Sequence, residues 1–255
     1  MDLQTARILD RETGRFYRLH ADSFSSTRHA AWAGWDRAFA GAAGVPLASP
    51  EARVLDVACG NLRFERYLAQ RFPACRARVR AFDNCRLLVG EPPAGVTFRD
   101  LGLFEALVDG TLSRHLGEGQ SNVAVCFGYL HHVPGAGNRA ELLRVLARAL
   151  APGGRLVVSF WQFLNSPELA ERARASHARG LQALGGAGLD SGALEPGDFL
   201  LGWQDSRDAF RYCHSFDGRE VDRLVEAAGL DGRVVDRFEA DGRTGNLNAY
   251  LVVSG

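Results

Sequence analysis

The residues of this 255-residue chain best suited to chemistry fall at the carboxyl ends of apolar runs. Val54-Leu55-Asp56-Val57-Ala58-Cys59-Gly60-Asn61-Leu62-Arg63-Phe64 reads as a buried strand, a tight turn and a helix start. Asp56 stands at the strand end, Gly60 lies in the turn, Ala58 stands two residues before that glycine and Asn61 follows it. Backbone N–H groups at a helix start beside an acid make a small-molecule pocket. Asp83, followed by Asn84, closes the next apolar run. A carboxylate there can accept both hydroxyl protons of a ribose. Asp100 with Leu101 ends a third run, where an acid can accept from an adenine amino group. Phe127-Gly128-Tyr129-Leu130-His131-His132 follows a fourth, very apolar run, where the reactive end of a ligand would lie. One acid after a strand is unremarkable. Three at successive strand ends, beside a turn containing glycine, indicate a nucleotide-like pocket. A dinucleotide-binding turn would need G-x-G-x-x-G, of which only Gly60 remains.

The elements that must position these residues alternate. Strands are expected at about 53–58, 77–82, 95–99, 122–127 and 155–161. Helices are expected at 61–72, 85–89, 102–116 and 138–150. Strands alternating with helices predict an α/β fold: a Rossmann-like, doubly wound, mostly parallel seven-stranded sheet with helices on both faces. Helix 217–228 should start behind Asp217 and stop at Gly229. Runs 232–239 and 247–253, joined through Asp241-Gly242, read as a hairpin, so one terminal strand should be antiparallel. Residues 4–40 look helical, with Ser25-Ser26-Thr27 as an interruption or a cap, and 41–50 read as a linker. The expected organisation is therefore a helical cap at 1–50 over a core at 51–255, with a helical and loop insertion at about 163–209.

Thirty arginines, no lysine and thirty acidic residues give zero formal charge, which argues against a generally basic nucleic-acid binder. Seven arginines between Arg63 and Arg86 read as a solvated helix face before a phosphate-binding patch. Five cysteines with no C-x-x-C spacing indicate buried thiols rather than a disulfide framework or a zinc site. No run approaches the ~18 apolar residues of a membrane span. The first twenty residues lack a signal-peptide core, so the expected location is the cytoplasm.

The strand-end set resembles the class I S-adenosylmethionine (SAM)-dependent methyltransferases through VLDVACGN, AFDN, FRDL, AVCFGYLHH and ALAPGGRLVVSFW. The resemblance implies a SAM site built from Tyr17, Asp56, Ala58, Gly60, Asn61, Asp83, Asn84, Asp100, Leu101 and Phe127. It departs at Ala58 and Leu62, where the family's turn has glycine. The flanks narrow it further. Phe24-Ser25-Ser26-Thr27-Arg28 with Trp32, His131-His132, Arg211-Tyr212-Cys213-His214-Ser215-Phe216 and Asn248-Ala249-Tyr250 resemble segments of the tRNA methyltransferases that esterify a carboxymethyl group on wobble uridine. Those relatives work with a small activator subunit, which this sequence does not itself indicate.

The resemblance implies an acidic acceptor held by Arg28 or Arg211, with His132 or His214 hydrogen-bonding nearby. Arginine suits that task because its planar fork binds a carboxylate through two bonds. Arg211 and His214 are expected to point to one face of an extended segment. Duller roles compete: Arg28 as a surface charge, the histidines as turn fillers, and Tyr17, Trp32 and Trp161 as core or pocket wall. Three functions remain open on the sequence: a methyltransferase for tRNA, one for a small acidic metabolite, and a SAM-binding scaffold without turnover.

Overall fold

A computed structural model describes residues 1–40, 47, 51–186, 188–203 and 209–255. The expected linker at 41–50, apart from Leu47, lies outside them, as do parts of the expected insertion. Seven strands form one sheet: β1 (Arg53–Val57), β2 (Arg78–Asp83), β3 (Val96–Asp100), β4 (Ser121–Cys126), β5 (Leu150–Trp161), β8 (Val234–Ala240) and β9 (Asn248–Ser254). Their order is β3-β2-β1-β4-β5-β9-β8. β9 runs antiparallel to both its neighbours, and the other six share one direction. The antiparallel strand is thus next to the edge, inside the expected hairpin.

Alternation along the strands sorts the core. Leu55, Val57, Ala124, Cys126, Leu156 and Val158 pack under helices α6 (Ala136–Arg148) and α8 (Gly218–Ala228). Val54, Val79, Val123, Val125, Val157 and Val252 face the aromatics Trp35, Phe39, Phe64 and Tyr67 on α2 (Ala33–Ala40) and α3 (Arg63–Arg71). With period two, Asp56 shares the face of Val54 and so points toward α3. That acid occupies a position where the pattern of a doubly covered sheet calls for an apolar residue.

Several expectations change. The N-terminal helical stretch divides into α1 (Leu3–Ser25) and α2 at the expected Ser25-Ser26-Thr27 interruption, while the helix expected at 85–89 is only a turn. The helix expected at 102–116 breaks into α4 (Leu103–Val108) and α5 (Leu112–Leu116), at Gly110 with φ +71°. The segment read as extended is β7 (Arg211–His214), and an unexpected short strand, β6 (Asp198–Leu201), forms a separate antiparallel pair with it. That pair packs on α1 and α7 (Pro167–Gly185) through Leu9, Leu184, Leu200, Phe210 and Tyr212. No helix among the described residues is long and apolar enough to cross a membrane.

Candidate active site

A cavity of about 620 Å³ opens at the carboxyl ends of β1, β2, β4 and β5. The β1–α3 turn forms its floor. Ala58 and Cys59 donate backbone N–H bonds to the Phe82 carbonyl, at 2.8 and 3.0 Å. Gly60 N donates to Asp83 Oδ2 at 2.9 Å, and Cys85 N donates to Asp83 Oδ1 at 2.8 Å. The Asp83 carboxylate therefore latches the turn to β2 and keeps a spare lone pair on each oxygen. Burial pushes its carboxyl up to about 6, against the opposing pull of these N–H donors.

The turn keeps a glycine backbone without the glycines. Ala58 has φ +66°, Gly60 +54° and Leu62 +58°. The cost of Ala58 is therefore conformational as well as steric, of order 1–2 kcal/mol for each non-glycine residue held there. Leu62 lies fully buried at the N-cap of α3, just before the first helical turn. A Cβ on Gly60 would meet nothing within 4 Å, so the cavity is open over that residue.

Tyr17 on α1 joins the wall from above. Its phenol lies 2.8 Å from His132 Nε2, and His132 Nδ1 lies 2.6 Å from the Tyr212 carbonyl. A carbonyl only accepts, so Nδ1 carries the hydrogen and Tyr17 donates to Nε2. Burial and the nearby Arg211 charge hold His132 down at about 3, so the ring is neutral. Both its nitrogens are engaged, which makes it a support for Tyr17 rather than a free base. His131 also lines the cavity, and its buried Nδ1 has no protein partner.

Arg28 and Arg211 both line the cavity. The Arg28 guanidinium lies 3.6 Å from the Phe24 ring centroid and 4.9 Å from that of Trp203. Arg211, 6% exposed, sits 4.6 Å from the Phe16 centroid and 5.7 Å from Phe24. Its Nη1 is buried without a hydrogen-bond partner, and neither arginine has an ion pair among the described residues. Burial brings Arg28 down to about 10, so it remains charged at neutral pH.

Of the residues expected from the sequence, Tyr17, Arg28, Asp56, Ala58, Gly60, Asn61, Asp83, Asn84, Phe127, His132 and Arg211 come together around this cavity. Three do not line it. Asp100 is exposed, paired in register with Asp83 at the sheet edge, and Leu101 packs against the core instead. Leu88 and Leu103 line the wall nearby. His214 is held elsewhere: Nδ1 lies 2.6 Å from Asp198 Oδ1, and Nε2 lies 2.7 Å from Glu220 Oε2. A spacing of three along β7 puts it on the opposite face from Arg211. His131, Arg63 and the carboxylate of Asp241 also line the cavity. The histidine was visible beside His132. Asp241 was visible only as a turn residue, since its place is set by bonds from Gly34 N, Asn248 Nδ2 and Tyr250 Oη.

The cavity fits a nucleoside with a cationic tail. Asp83 keeps acceptor capacity, Asp56 Oδ1 and His131 Nδ1 are buried and unpartnered, and Gly60 leaves room for close approach.

Residues 27–234 match the family model described as a methyltransferase domain. The chain belongs to that family. Over 150 residues it is 28% identical to the mouse tRNA (carboxymethyluridine(34)-5-O)-methyltransferase ALKBH8, covering 57% of this chain and 19% of that protein. The chain thus spans about a fifth of the length of that curated relative. A SAM-dependent methyltransferase from Methanosarcina mazei superposes with TM-score 0.53 at 18% identity, over 81% of this chain and 93% of its own. One from Anabaena variabilis gives 0.52 at 15% identity, over 94% of each chain. Both show a shared fold.

Proposed function

We propose that this methyltransferase esterifies a carboxylate acceptor gripped between Arg28 and Arg211. The observation that carries the reading is Arg211 itself: a buried guanidinium at the cavity with an unpartnered Nη1. An unpaired buried charge is costly, and an anionic ligand would relieve it. Arg28 supplies a second cation, and Phe16 and Phe24 hold Arg211 in place by cation–π contact.

Asp83 is assigned the ribose hydroxyls, and Asp56, Ala58, Gly60, Asn61, Asn84, Phe127 and Tyr17 the rest of the cofactor. SAM bound there supplies an electrophilic methyl group on a sulfonium sulfur. The acceptor needs no general base, because a carboxylate is already ionised at neutral pH. The chain's task is to align the acceptor and strip it of water, and alignment alone can contribute about 7–11 kcal/mol. Neutral His132 fixes the Tyr17 phenol, and Trp32, Trp161 and Phe127 wall off solvent. Residues 1–50 serve as the cap and 51–255 as the core.

The acceptor we favour is a carboxymethylated wobble uridine of tRNA. Its support is the FSSTR and RYCHSF segments and the identity to the mouse enzyme. A small acidic metabolite is the second reading, supported by the zero formal charge. Labelled SAM offered with tRNA and with small carboxylic acids, across a salt series, separates the two. Transfer to tRNA should fall steeply with salt, and transfer to a small acid should not. Arg28→Ala and Arg211→Ala should each lower kcat/KM by about 10–150-fold, the loss of a charge-assisted bond. Wild-type kcat/KM in both variants would overturn the proposal.

A further inference from the structure

Behind the cavity floor lies a second acid that the site as described does not use. Glu65, in the first turn of α3, is 2% exposed, as is Asp56 on the facing strand. The two carboxyls face each other across the strand–helix contact and act on each other directly. Asp56 Oδ1 and both Glu65 oxygens have no donor from any other protein group. Two facing carboxyls, buried without a donor, resist ionising together, so the pair holds one proton jointly. Asp56 lines the cavity and Glu65 does not.

We propose that Asp56 and Glu65 form an onium-sensing acid pair, in which Glu65, without touching the ligand, holds a proton jointly with Asp56 and releases it to solvent when the cationic cofactor enters. This rests on the cofactor reading above, and makes Glu65 a positioning residue for the charge of the methyl donor.

The surroundings support it. The groups facing the pair are Asp83 on β2, the Cys59 thiol in the turn, Cys126 on β4 and Arg66 on α3. Arg66 favours ionised Glu65 through its charge but makes no ion pair with it; its guanidinium donates to the Asn61 carbonyl at 2.7 Å. Burial, then the neighbouring acids, push Asp56 well up, and burial pushes Glu65 to about 7. A cation at Asp56 stabilises the doubly ionised pair and so lowers the pH at which its last proton leaves. Binding therefore releases a proton. Affinity should rise with pH, by up to about tenfold per unit, and level off above the free pair's titration.

Isothermal titration in buffers of different ionisation enthalpy counts the protons released. The ligands are SAM, which carries a sulfonium and an ammonium, and S-adenosylhomocysteine, which carries only the ammonium. Release with both ligands places the ammonium at the pair, and release with SAM alone places the sulfonium there; both support the proposal. Glu65→Gln should bind without the pair's share of release, with affinity flatter between pH 6 and 8. Glu65→Met, which cannot ionise or hydrogen-bond in the same way, should also lack it, and thermal melts of both variants establish folding. Clear binding heat with no buffer dependence in the wild type would overturn the proposal. Unchanged release in the variants would do the same and assign the proton to Asp83. No binding of either ligand would overturn the cofactor reading, and this proposal with it.

Discussion

Tyr17 and His132, 115 positions apart, share a 2.8 Å hydrogen bond that ties the first helix to the turn after β4. The ring's other nitrogen donates to the Tyr212 carbonyl on β7, so one neutral imidazole joins three separate elements above the cavity. This has a pH consequence. The folded ring titrates at about 3, well below the ordinary 6.5. A base with a lowered value contributes stability that is present above its unfolded value and lost as pH falls.

His132→Gln isolates that contribution. Half-buried Asp10 and buried Asp83, both raised to about 6 by desolvation, pull the opposite way in the same range, so the wild-type slope alone is a sum. Between pH 7 and pH 5 the wild type should lose about 2 kcal/mol relative to the variant, as the unfolded ring takes up its proton. Urea unfolding at both pH values checks it. A difference independent of pH would contradict the neutral ring.

Ala58→Gly should stabilise the protein. The residue sits at φ +66°, where a glycine carries no Cβ strain. A gain of about 0.5–1 kcal/mol is expected after the added entropy of the unfolded chain is subtracted from the relieved strain. SAM affinity should not weaken, since the change removes a methyl from the cavity wall. Leu62→Gly, at the equally left-handed but fully buried position, should instead lose about 2–5 kcal/mol of core packing. Thermal melts and calorimetric titration read both.

These positions show where sequence reading ran out. Asp56, Gly60 and Asp83 were legible because strand periodicity and chain punctuation place them without knowledge of long-range contacts. Asp100 misled because a strand-end acid looks alike at a central strand and at an edge, and β3 proved to be the edge. β6 and its pairing with β7 were hidden because each strand is four residues long and buried against α1 and α7, so neither shows an alternating face. Glu65 looked like an ordinary first-turn helix acid, and only the folded chain reveals Asp56 opposite it. His214 looked catalytic because histidine beside a matched arginine invites it. Its partners Asp198 and Glu220 come from different elements, β6 and α8.

Asp198→Asn should expose the structural nature of that cluster. Asp198 accepts from Tyr212 Oη and pairs with His214, and Arg139 bridges Tyr212 to Glu195 and Glu220. Burial pushes the His214 ring down, but its two carboxylate partners prevail and hold it above its ordinary value. The stability it brings is present below the unfolded value of about 6.5 and lost as pH rises through the folded one. The variant should lose about 3 kcal/mol, more at pH 6 than at pH 9, while kcat of the folded protein stays near wild type. A large fall in kcat with stability intact would return His214 to the active site.

The central claim is that the methyl group lands on a carboxylate oxygen. Its most direct measurement is the alkali lability of the transferred label. After reaction with methyl-labelled SAM, the purified acceptor is treated with mild base and the released methanol is counted. An ester predicts release of nearly all the label as volatile methanol, in wild-type product and in the residual product of the Arg211→Ala enzyme. Label that resists base, and so sits on nitrogen, carbon or an ether oxygen, would contradict the account.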